Sequence, residues 1–199
     1  MPRSSEGTRR RILDAAYGLF YRKGFGRVGV DEIAALAGIT KRTLYYHFNS
    51  KDELLAAVLE LQHELALARI HKYDDRYQGS AEDIVTAVFS ELAKWSMKPG
   101  WTGAGFTRLV VELADMPGHP ARVIAHRHKA KVEDWWAGLL KRANVTSPQD
   151  RAEEMMLLME GAMAMILIHG DSKYAATAAR AAIQLISGDV RKKPGQIKP

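Results

Sequence analysis

The chain has 199 residues, 47% of them hydrophobic, and no cysteine. That length allows one large or two small domains with a buried core, and the missing cysteines exclude a disulfide framework and thiolate chemistry. The formal net charge is +6 but unevenly placed: residues 1–51 carry ten Lys/Arg against four Asp/Glu, residues 52–190 carry fifteen against nineteen, and residues 191–199 add four Lys/Arg and no acid. A basic N-terminal quarter on an acidic body suits a polyanionic partner for that quarter, although a solvated basic surface explains charge alone equally well. The opening MPRSSEGTRRR lacks the apolar stretch of a secretory signal, and there is no run of about 18 apolar residues to span a membrane, so a cytoplasmic protein is expected.

Helical spacing dominates the chain. Ile12, Ala16, Leu19 and Phe20 share one face of a first helix, which ends near Gly24 after two cations suited to a helix C-terminus, Arg22 and Lys23. Asp31 to Ala37 form a short second helix. Gly38 turns the chain, and Thr40 caps a third helix through Phe48. Asn49-Ser50 break it. Ser50 and Glu53 then spell a capping box, S-x-x-E, for a long fourth helix with its apolar stripe at Leu54, Leu55, Val58, Leu61, Leu65 and Ile70. DDRYQGS is a loop, and Ser80 opens a helix apolar at Ile84, Val85, Val88, Phe89 and Leu92 that stops before Pro99-Gly100. GWTGAGF precedes a helix through about Ala114, MPGHP breaks the chain, and Pro120 opens a helix to about Ala143. Ser147-Pro148 starts a helix to about His169 that is apolar around much of its circumference. The last helix, from about Ser172 to Ile186, is rich in alanine, and residues 190–199 read as a basic disordered tail. With no strand alternation and no repeat, the fold expected is all-α.

The stretch 31–48, DEIAALAGITKRTLYYHF, is a helix, a glycine turn and a second helix. At about 100° per residue, Leu44 and Phe48 fall on one side of the second helix and Arg42 and Tyr46 on the other, flanked by Thr43 and Tyr45. Two tyrosines and an arginine turned away from the apolar side serve a core poorly and base edges well. Arginine bonds guanine bidentately, and tyrosine offers a hydroxyl and a ring for a thymine methyl. Thr40, Lys41 and His47 are placed for phosphates, as is Lys51 in the first turn of the next helix. Singly, each is ordinary: a half-packed tyrosine, a surface histidine, a solvated lysine. Together, in the basic quarter, they read as a DNA-contacting head. Arg3 and Arg9–Arg11 are within reach of the DNA backbone or a minor groove, but a frayed basic terminus is the plainer reading.

These residues carry a resemblance. TRRRILDAAYGLFYRKGF followed by VDEIAALAGITKRTLYYHFNSKDELL is similar to the DNA-binding domain of TetR-family transcriptional regulators across residues 8–60. The resemblance implies a three-helix DNA-binding domain over 1–50 containing the helix-turn-helix. It implies an all-helical ligand-binding and dimerisation domain over 51–189, and repression of transcription relieved by a small molecule. Arg42, Tyr45 and Tyr46 match the family's base-facing positions, and Thr40, Lys41, Thr43, His47 and Lys51 its backbone-contacting ones. Two positions depart from the pattern. Position 42 is commonly glycine in the family. A hydroxyl residue usually caps the second helix and touches phosphate, where this chain reads Val28-Gly29-Val30-Asp31; Asp31 can cap but repels phosphate.

Beyond residue 60 the resemblance weakens. GWTGAGF and ELADMPGHP are similar to one branch of TetR-family C-terminal domains, with alanine at position 104 where many members of that branch carry cysteine. Trp101, Phe106, Trp135, Trp136, Met159 and Met163 are candidate linings of a largely apolar ligand pocket, though each is also ordinary core material. The apolar helix to His169 and the alanine-rich helix after it suit a four-helix interface with a second copy, Ala175, Ala178, Ala179 and Ala182 allowing close approach; a buried central helix of a monomer is the alternative. His126 and Glu133 share a helix face but His128 points elsewhere, so neither metal nor cofactor is expected.

The partners expected are a double-stranded DNA operator, a second copy of the chain and an unidentified small molecule, without membrane. The competing functions are an activator on the same scaffold, a helical enzyme, and an adaptor with a basic docking end. No nucleophile–base pattern, GxSxG or P-loop supports an enzyme; His169 beside Gly170 and Asp171 is the nearest arrangement, and a helix end explains it better.

Overall fold

The computed structural model describes residues 5–74 and 79–187. Arg3, most of the loop DDRYQGS and the basic tail lie outside the described residues. Within them the structure is α-helical: α1 (Ser5–Lys23), α2 (Val30–Ala37), α3 (Lys41–His47), α4 (Lys51–Asp74), α5 (Ala81–Ser96), α6 (Gly105–Glu112), α7 (Pro120–Arg142), α8 (Pro148–His169) and α9 (Lys173–Ser187). No strand occurs among the described residues, in keeping with the all-α expectation. The chain divides into two compact units, Met1–Ala66 with Ala104–His128, and Leu67–Gly103 with Lys129–Pro199.

The first unit is built on the apolar faces of its short helices. Ile12, Ala16, Leu19 and Phe20 of α1, Ile33 and Ala37 of α2, Leu44 of α3 and the adjoining Phe48 pack into one core with Leu54, Leu55 and Val58 of α4 and Leu109 of α6. Leu44 is completely buried, a burial that contributes roughly 1.5–3 kcal/mol. The turn from α2 to α3 depends on Gly38, whose φ of 64° is left-handed and costly for other residues. There Gly38 N–H donates to Ala35 O at 3.1 Å and Ile39 N–H to Ala34 O at 3.0 Å, closing the end of α2.

The start of α4 departs a little from the expected capping box. Ser50 Oγ accepts from Glu53 N–H at 3.0 Å, but Glu53 reaches one residue further back, accepting from Asn49 N–H and Asn49 Nδ2, each at 2.8 Å. The three arginines near the start of α1 are engaged within the fold. Arg9 lies over the Phe48 ring, Arg10 pairs with Asp14 at 3.1 Å, and Arg11 donates to Ala37 O at 2.9 Å. Arg9, Arg10 and Arg11 are thus helical rather than part of a frayed terminus.

In the same unit α6 grips the end of α1. Arg108 Nη1 donates to Tyr21 O at 3.1 Å, while Glu112 Oε2 accepts from Phe25 N–H at 2.8 Å and Gly26 N–H at 3.3 Å. Gly24 is doubly constrained: its φ is +87°, and a Cβ there would meet Glu112 Oε1 at 2.8 Å. Ahead of α7, His119 Nδ1 accepts from Ala121 N–H at 3.1 Å, which directs its Nε2 side to Asp52 Oδ1, 3.6 Å away in the first turn of α4.

The second unit packs α5 and α8 against α9. A full capping box starts α5: Ser80 Oγ accepts from Asp83 N–H at 3.1 Å, and Asp83 Oδ2 accepts from Ser80 N–H at 3.1 Å. Ser147 precedes Pro148 as expected but makes no side-chain cap bond. One expectation changes here. Ala175, Ala178, Ala179 and Ala182 are buried within their own chain, where small side chains let α9 pack closely with α5 and α8. α8 leaves an apolar stripe open: Leu157 is 74% and Ile168 66% exposed, with Gly161, Ala164 and Met165 between them on the same side.

Candidate nucleic-acid interface

The head of the first unit is assembled from α2, α3 and the first turn of α4. Thr40 caps α3, its Oγ1 accepting from Thr43 N–H at 3.1 Å and lying 2.9 Å from Thr43 Oγ1. The cap fixes where α3 begins and hence which residues turn outward. Leu44 and Phe48 go into the core; Tyr46 is 82% and Tyr45 44% exposed, and Arg42 is exposed beside them. His47 is half-buried and meets Tyr46 edge-on, ring centroids 5.4 Å apart. Arg42 has no hydrogen bond or ion pair among the described residues, so its guanidinium is available to an acceptor. A seven-residue helix thus presents one arginine and two phenols on the face opposite its anchor.

The residues expected to hold phosphate differ in their surroundings. Lys41 Nζ donates to Asp31 Oδ2 at 3.0 Å, a hydrogen bond that raises its pKa above the ordinary lysine value and keeps it charged. Lys51 Nζ lies 4.2 Å from the centre of the Phe25 ring, and its partial burial pushes its pKa below the ordinary value against the opposing pull of Asp52 and Glu112. Asp31 does not cap α2. Gly29 is the cap residue and makes no side-chain bond, so Asp31 stands within the first turn, where a carboxylate suits the helix dipole. Nothing in the residue spacing signals the Asp31–Lys41 pair or the hold of Glu112 on the α1–α2 turn.

The candidate pocket residues separate. In the second unit Trp136 is buried beside Phe89, ring centroids 6.2 Å apart, and beside Trp135 at 5.3 Å; Trp101 meets Trp95 edge-on at 5.7 Å. Met163 is buried and Met159 partly so. Phe106 belongs to the first unit, where it stacks on His128 at 3.9 Å. His128 itself is buried, its Nδ1 3.2 Å from that of His63, while His126 is exposed. His169 ends α8 before Gly170, which adopts φ 68°, and Asp171 accepts from Lys173 N–H at 2.9 Å, a local turn at the start of α9.

Residues 12–58 match the model of the bacterial regulatory proteins, tetR family. That segment spans the core of α1, the helix-turn-helix and the start of α4. A protein of Streptomyces avermitilis MA-4680 (sav143), solved as a candidate TetR transcriptional regulator, superposes with a TM-score of 0.78 at 29% identity, covering 90% of this chain and 98% of its own. The TetR-family regulator SCO4454 of Streptomyces coelicolor superposes with a TM-score of 0.82 at 26% identity, covering 92% and 96%. Residues 12–58 are thus similar to the DNA-binding segment of the TetR family, and the fold is that of TetR-type regulators. The transcriptional regulator TtgR of Pseudomonas putida is 38% identical over 92 residues, which cover 44% of each chain; the match to this curated relative thus spans less than half its length. The TetR-type head of this chain combines an exposed arginine at position 42 with a second helix capped by glycine. No helix among the described residues is long and apolar enough to cross a membrane.

Proposed function

We propose that this protein is a DNA-binding transcriptional regulator of the TetR family, acting as a repressor that a small molecule releases from a palindromic operator. The observation that carries this reading is the division of α3: Leu44 and Phe48 buried, Arg42, Tyr45 and Tyr46 turned outward together. That is the side-chain set of a helix read into a major groove, with Thr40, Lys41, Thr43, His47 and Lys51 around it for the backbone. Residues 1–50 read DNA in this account, and residues 51–189 bind the effector and the second copy.

The exposed stripe of α8, from Leu157 through Gly161 and Met165 to Ile168, supports a homodimer, since a helix face this apolar is costly to leave in water and two half-sites require two heads. Trp101, Trp135, Trp136, Met159 and Met163 supply the apolar wall for an effector. The buried indole N–H groups of Trp101 and Trp136 lack an acceptor among the described residues, which favours a largely apolar ligand carrying one or two acceptor atoms. Selection of binding sites from random duplex DNA tests the reading. A palindromic consensus supports it, and recovery of unrelated sequences without enrichment refutes it. Placing that consensus ahead of a reporter then separates repression from activation by the sign of the change.

A further inference from the structure

Two acidic residues stand in the first turn of α2, Asp31 and Glu32, and each has taken a lysine: Asp31 pairs with Lys41, the first residue of α3, and Glu32 with Lys23 at the end of α1. The Asp31–Lys41 pair is the one at the reading helix. Its side chains are 75% and 52% exposed, so both groups stand at the surface of the head. In a helix-turn-helix the first helix crosses the DNA backbone while the N-terminal residues of the second enter the groove. The pair joins the N-terminal turns of those two helices. Gly29, at the cap of α2, contributes no side chain to satisfy a phosphate or to screen Asp31 from one.

We infer that Asp31 sets how strongly the head holds the DNA backbone, by withholding Lys41 from phosphate. This rests on the DNA-binding reading given above. A lysine that neutralises a phosphate releases a counterion and contributes to binding at every sequence. Lys41 meets a carboxylate at 3.0 Å before any DNA arrives, so its contact with phosphate must be made at the expense of that bond. The carboxylate adds a like charge close to the phosphates on its own account. Arg42, one residue on and without such a partner among the described residues, keeps its full capacity for a base edge. Asp31 therefore lowers the sequence-independent part of binding while leaving the reading face intact.

The test uses the full-length protein, a selected operator duplex and a scrambled duplex, with affinities measured at salt concentrations from about 50 to 200 mM. Asp31→Asn is expected to tighten both duplexes by a similar factor and to steepen the salt dependence by about 0.9 in the log–log slope, the value of one phosphate contact. The variant's advantage then shrinks roughly 3-fold between about 50 and 200 mM salt. Lys41→Gln is the companion variant: it costs little beside Asp31 and about 3-fold or more in the Asp31→Asn background. Thermal melts of each variant separate these effects from loss of fold, which does not produce such coupling. An unchanged salt slope in Asp31→Asn overturns the inference. A selective loss on the operator also overturns it, since that would make Asp31 a base reader. Wild-type protein that fails to bind either duplex overturns the DNA-binding reading itself, and the inference with it.

Discussion

Leu44 and Tyr46 stand two residues apart on α3 and face opposite environments, one fully buried and the other 82% exposed. Thr40 decides this arrangement by fixing the start of the helix. Its hydroxyl satisfies the Thr43 N–H, one of the donors that a helix start leaves unpaired. Thr40→Ala should therefore cost about 1 kcal/mol of stability and lower the thermal midpoint, whereas Thr40→Ser should keep most of it; a Thr40→Ala protein as stable as wild type would remove the cap from the account. The faces of α3 were legible in the sequence because their causes are local: a glycine that turns, a threonine that caps, and leucine and phenylalanine one turn apart. The partners of the charges on and beside it were not. Lys41 meets Asp31 and Lys51 meets the Phe25 ring because α1, α2 and the start of α4 fold together, and spacing along one helix carries no record of that.

At the scale of the element, end signals served better than apolar stripes. Ser80, Pro120 and Ser147-Pro148 all mark helix starts found in the structure. The alanines of α9 were legible as a close-packing face, but not which neighbour they would meet; they turn toward α5 and α8 of their own chain. Glu112 was unreadable as the clamp of the α1–α2 turn, being a lone carboxylate whose partners, the N–H groups of Phe25 and Gly26, are 87 and 86 residues away. The capping box of α5 yields a pH prediction. Asp83 is held below the ordinary carboxylate pKa first by the Ser80 hydroxyl and then by the Ser80 N–H. A depressed carboxylate contributes stability above its unfolded pKa and loses it as pH falls through the folded one. Asp83→Asn should thus be less stable than wild type at neutral pH, and the gap should close below about pH 4. A gap that persists undiminished into strong acid would assign the difference to something other than ionisation.

Over the whole molecule, two properties must meet for the proposed function: a head that reads one half-site and a body that brings a second head. The body's contribution rests on α8, whose exposed stripe contains small residues at Gly161 and Ala164 between larger ones at Leu157 and Ile168. Leu157→Glu places a charge on that stripe without entering the core. It should shift the protein from dimer to monomer in sedimentation at micromolar concentration and leave its helical content unchanged; a variant that still sediments as a dimer would move the interface elsewhere. The head's contribution rests on Tyr46. The most direct measurement is the affinity of wild type and Tyr46→Ala for the selected operator and for a scrambled duplex at one salt concentration. Tyr46→Ala is expected to lose about 1–3 kcal/mol of discrimination between the two, almost all of it from the operator side. An equal change on both duplexes, or none on either, would contradict the assignment of the outward face of α3 as the surface that reads sequence.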